Sequence, residues 1–93
     1  MSPQNRDVNM NQKIFNMGLP VETISVYLLC CSLADTGTPI TTRNLMAIWN
    51  STEKVLIDSL ADLEKKNILG RILSNGAAHA AYRLQKSDDW RSG

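Results

Sequence analysis

The stretch from Thr42 to Gly76, TRNLMAIWNSTEKVLIDSLADLEKKNILGRILSNG, decides how the chain folds. Thr41 or Thr42 caps a short second helix that runs through Trp49, with Leu45, Ile48 and Trp49 on one face at helical spacing and Arg43, Asn44 and Ala47 facing out. Asn50 ends it in the left-handed conformation, and a turn of about three residues leads to a third helix capped by Ser51 or Thr52. That helix continues to Lys66 and stops at Asn67. Leu56, Leu60 and Leu63 form its buried stripe, flanked by Val55 and Ile57, and Lys54, Asp58, Ala61, Asp62 and Lys65 face away. The period then changes from about 3.6 to 2. Ile68 to Ser74 and Ala78 to Leu84 read as two strands around Asn75-Gly76, a strong hairpin signal. Alternation places Ala80, Tyr82 and Leu84 on one face of the second strand and His79, Ala81 and Arg83 on the other.

Upstream, Asp35 to Pro39 has turn chemistry, with Gly37 supplying the positive φ that closes a helix. Ile40 is a single apolar residue in the connection. The first helix runs from about Pro20 to Ala34, with Pro20 at its start and Glu22 in the favourable first turn. It is apolar nearly all round, so it needs cover on more than one side. Either the segment Ile14 to Leu19 folds back over it, or a second subunit docks symmetrically, making a homodimer through Phe15, Leu19, Val26, Leu29 and Leu33. Residues 1–13 read as a flexible arm, 14–84 as the domain and 85–93 as a polar tail, apolar only at Trp90, which would order the tail if its ring docked.

With 93 residues and a net charge of +1, the chain suits one small domain and carries no global charge that would draw it to nucleic acid or anionic lipid. Aromatics make up 5% of it, too few for a platform that stacks single-stranded bases. Cys30 and Cys31 are sequence neighbours in an apolar run and read as reduced core residues, not as a staple or a metal pair. There is no signal peptide and no apolar run near the ~20 residues a bilayer demands, so the expected location is cytoplasmic. No nucleophile–base set, paired carboxylate site or glycine-rich phosphate loop stands out, so neither enzyme activity nor a metal or other cofactor is expected.

The order of helix, short connection, helix, tight turn, helix and hairpin resembles a winged helix-turn-helix domain over about Leu19 to Leu84. Thr42 to Thr52, followed by Leu56, Leu60 and Asp62 to Leu69, is similar to the helix-turn-helix of MarR-type regulators and of phage and plasmid replication proteins, and Gly18 to Pro20 and Tyr82 to Leu84 are similar to the replication type. The resemblance implies a mainly α fold of the α+β class, with three helices and a two-stranded wing. It implies double-stranded DNA as partner, with the third helix at the major groove, and transcriptional regulation as the role. By position, Thr52, Glu53, Lys54, Ile57 and Asp58 would face bases. Arg43, Asn44 and Ser51, and on the wing Arg71, Asn75, His79 and Arg83, would contact the backbone. From Thr52 to Lys66 three lysines meet four carboxylates, with Lys54/Asp58 and Asp62/Lys66 spaced to pair along the helix, whereas Ile68 to Lys86 holds no acid at all. The positive field is therefore expected in the hairpin. The alternative is a winged-helix protein-interaction, replication or partition module that does not read DNA.

Overall fold

The computed structural model describes residues 11–73 and 80–91, except for the side chain of Leu73. A short 3-10 turn, Gln12–Asn16, precedes α1 (Val21–Asp35), β1 (Ile40–Thr41), α2 (Thr42–Ile48), α3 (Glu53–Lys65), β2 (Leu69–Leu73) and β3 (Ala81–Leu84), and a second 3-10 turn, Ser87–Asp89, closes the chain. The class is mixed α+β and mostly helical, as expected. The sheet is larger than expected: among the described residues it has three antiparallel strands in the order β1-β3-β2, not two. Ile40 and Thr41 pair with Tyr82 and Ala81, so the lone apolar residue of the first connection is buried as part of an edge strand. The turn at Asn75-Gly76 lies outside the described residues.

Local chemistry sets the boundaries. Pro20 occupies the N-cap of α1, and beyond its C-terminus Gly37 takes φ 73°. Thr41 caps α2 by accepting from the Asn44 N–H at 3.0 Å, and Thr52 caps α3 by accepting from the Val55 N–H at 3.3 Å. The left-handed residue expected at Asn50 is absent: Trp49, directly after α2, is extended, and among the described residues the one non-glycine with positive φ is Asn67, at 60°. There it ends α3 and turns the chain into β2, and its side-chain amide donates to the Asp89 carbonyl at 2.9 Å. Asn67→Ala should therefore lose both the left-handed tolerance and the bond, costing about 2 kcal/mol, whereas Asn67→Gly should lose about half that. Thermal unfolding of the two variants checks the ratio; equal losses would mean that the backbone conformation contributes nothing.

Leu56, Leu60 and Leu63 form the buried stripe of α3, as their spacing predicts, and meet Val26, Cys30, Leu45, Ile68 and Leu69 in one core. Helix α2 differs from expectation. Its inward positions are Thr42, Leu45, Met46 and, just past its end, Trp49, which puts Ile48 about 100° off that face and 45% exposed. Trp49 is half-buried in the α2–α3 corner and donates its indole N–H to the Thr52 carbonyl at 2.9 Å.

Helix α1 obtains its second side of cover from within the chain. Ile14 of the first 3-10 turn is fully buried, and Met17 and Leu19 pack against the core. The Asn11 N–H donates to the Tyr27 hydroxyl at 2.9 Å. From the other end of the chain, Trp90 docks edge-on against Tyr27, with ring centroids 5.6 Å apart. Its indole N–H donates to the Gln85 carbonyl at 3.1 Å, and the Arg91 N–H donates to the Lys66 carbonyl at 2.6 Å. Lys13 links the two termini: its ammonium lies 5.8 Å from the Trp90 ring centroid and donates to the Ser87 carbonyl at 3.0 Å. Among the described residues, no helix is long and apolar enough to cross a membrane.

Candidate nucleic-acid interface

The expected DNA face centres on α3 and the strands that follow it. A four-residue connection, Trp49 to Thr52, joins α2 to α3. The core stripe holds α3 down, so Glu53, Lys54, Asp58, Ala61 and Lys65 are exposed and Ile57 is half-buried. Along this outer face the charges are partly spent on one another. Lys54 donates to Asp58 at 2.8 Å, and that bond raises the pKa of its ammonium. The other expected pair, Asp62 with Lys66, is not among the ion pairs of the described residues.

Arg71 and Arg83, read together as one basic patch, lie on opposite faces of the sheet. Arg71 is paired across the sheet with Tyr82, whereas Arg83 is opposite Gly70, one residue on in the pleat. Tyr82 points into the core, so Arg71 projects toward the helices, where its Nε and Nη2 donate to one oxygen of Glu64 at 3.2 and 2.8 Å. Its guanidinium also lies 5.7 Å from the Tyr82 ring centroid, and the bond to Glu64 is the main cause of its raised pKa. Arg83 is exposed on the other face and, like Arg43 on the first turn of α2 and Lys86 after β3, forms no ion pair among the described residues.

The remaining expected contacts divide. Ser51 and Thr52 are exposed at the start of α3, with the Thr52 hydroxyl committed to its cap. Asn44 is half-buried, and its amide donates to the Pro39 carbonyl at 2.9 Å, which fastens the connection before β1 and leaves it poorly placed to face outward. Asn75 and His79 lie outside the described residues. Of the residues expected to meet a second subunit, Val26 has no exposed surface and is removed from that set because its own core encloses it. Leu19, Leu29 and Leu33 are half-buried, and Phe15 is 52% exposed. The larger exposed apolar groups on α1 are Val21, at 76%, and Leu28.

Glu64 is the contributor that sequence reasoning missed, because its partner lies seven residues away in another element. A second missed feature is an open groove of about 530 Å3 between the start of α1 and the flank of α3 that carries Val55, Ser59 and Asp62. Chain order gave no sign that the two would face each other. Among the described residues no group of His, Cys, Asp and Glu is placed to hold a metal ion. Cys30 and Cys31 are free and buried. Burial pushes both thiols up, Cys31 to about 11, which keeps them protonated and unreactive near neutral pH.

No family model matches the chain, and no curated protein or solved structure is significantly similar to it.

Proposed function

We propose that the chain is a winged helix-turn-helix domain that binds double-stranded DNA and serves as a transcriptional regulator, with α3 at the major groove and the basic wing, through the outer sheet face that carries Arg83, on the phosphate backbone. The observation that carries this reading is the unit α2, tight connection, α3, followed at once by antiparallel β2 and β3, with the outer face of α3 open. Exposed Arg43, Arg83 and Lys86 supply positive charge that no carboxylate of the described residues neutralises. Phosphate contact by these groups is sequence-independent and releases counterions.

The test is a titration with generic duplex DNA at two salt concentrations. Three phosphate contacts predict an affinity that falls roughly 40-fold between about 50 and 200 mM salt. Arg43→Ala with Arg83→Ala should weaken binding and flatten the salt slope by about two contacts. Arg71→Ala should matter much less, because Glu64 already engages its charge. No binding at low salt would reject the DNA reading.

One observation favours a second reading, a protein-interaction, replication or partition module. The outer face of α3 spends Lys54 on Asp58 and retains Glu53 and Asp62, which phosphates would repel.

A further inference from the structure

We propose that the groove between the start of α1 and α3 docks a short basic segment of a partner protein, with arginine or lysine side chains alternating with apolar ones. The proposal rests on the second reading above and gives it a site; DNA binding can stand or fail independently of it.

Three features of the groove define the occupant. The first is charge. Glu22 comes from the first turn of α1 and Asp58 and Asp62 from α3, against Lys65 as the one cation of the lining. Asp58 is shared with Lys54, whereas Glu22 and Asp62 form no ion pair among the described residues. A cationic side chain would therefore meet two uncommitted carboxylates, while nucleic acid would be repelled by them.

The second feature is a pair of hydroxyls. Thr23 and Ser59, 3% and 4% exposed, line the groove from its two walls. Neither hydroxyl has a hydrogen-bond partner among the described residues, yet no fully enclosed side-chain polar atom is left unsatisfied, so each oxygen keeps a small accessible surface on a residue that lines the groove. Nearly buried hydroxyls without a partner in the lining of a cleft suit the alternating carbonyls and N–H groups of an extended peptide.

The third is apolar surface. Pro20, Val55 and Ala61 offer small contacts that would take aliphatic side chains beside the cations.

The test uses the full chain, labelled with nitrogen-15, and two capped hexapeptides as probes, one of alternating leucine and arginine and one of alternating leucine and glutamate. The arginine peptide should shift the backbone amides of Glu22, Thr23, Ser59 and Asp62, and the glutamate peptide should leave them in place. Glu22→Gln with Asp62→Asn should weaken the arginine peptide about tenfold. The amide spectrum of the double variant reports its folding; if it is unfolded, Asp62→Asn by itself replaces it, with about a threefold loss expected. Shifts scattered over the surface, equal response to both peptides or unchanged affinity in the variant would overturn the proposal. Generic duplex DNA moving these same amides while the arginine peptide moves none would overturn it as well, and would support the DNA reading. Binding of the peptide without binding of DNA would uphold the groove and reject the DNA reading.

Discussion

Trp90→Ala should destabilise the domain by about 3 kcal/mol, the range for removing a buried aromatic side chain. The ring is 8% exposed and stands edge-on to Tyr27, so its loss opens a cavity against Tyr27 of α1. It also releases the indole bond to the Gln85 carbonyl and the Lys13 ammonium above the ring. A domain of this size has a total stability of roughly 5 to 10 kcal/mol, so the melting temperature should fall by more than about 10 °C. Trp90→Phe separates the contributions: it keeps most of the apolar contact and loses the indole donor, so about 1 kcal/mol is expected. Urea unfolding measures both. If Trp90→Ala changed stability by less than about 0.5 kcal/mol, the range of an ordinary surface substitution, the C-terminal turn would not belong to the core.

Trp90 also shows where sequence reasoning runs out. The apolar surplus of α1 was legible, because ten of the fifteen residues from Pro20 to Ala34 are apolar and a one-sided stripe needs fewer. What covers that surplus was not legible. Ile14 and Trp90 lie on either side of the helix in sequence, and the spacing of neither says where it docks. A homodimer and an internal clamp make the same demand on the sequence of α1. They differ only in long-range contacts, and here Ile14, Met17, Leu19 and Trp90 supply cover from within the chain, while Val21 and Leu28 of α1 stay exposed.

The α3 stripe and its caps were readable for the opposite reason. Leu56, Leu60, Leu63 and Thr52 act through neighbours three or four residues away, so periodicity and capping chemistry suffice. The charge pattern fell between these cases. Lys54 with Asp58 is local and was visible. Arg71 with Glu64 crosses from helix to strand, and the division of Arg71 and Arg83 between two sheet faces depends on a strand register that the composition of the hairpin does not reveal. The two arginines of an acid-free stretch thus became separate cations on opposite sheet faces, one of them neutralised.

Alkaline solution should destabilise the chain through its buried acids. Cys30 and Cys31 face the core next to Tyr27, and burial is the main cause that raises all three acids above their ordinary values. The unfolded thiols titrate near 9.0, while folded Cys31 holds its proton to about 11 and Cys30 holds its own more tightly. Between those limits the unfolded state binds fewer protons than the folded one, so stability falls as pH rises. It is fully present below about pH 8. Each thiol then costs up to about 1.4 kcal/mol per pH unit, so the pair should remove about 2 to 3 kcal/mol by pH 10. Tyr27 adds to the loss as pH passes its unfolded value of 10.0. Urea midpoints at pH 7.5, 9 and 10 under reducing conditions would trace the fall, and Cys30→Ala should be less stable at pH 7.5 but flatter across the series. A wild-type midpoint that did not move between pH 7.5 and 10 would mean that water reaches the cysteines, and the tight packing of α1 on α3 would have to be abandoned.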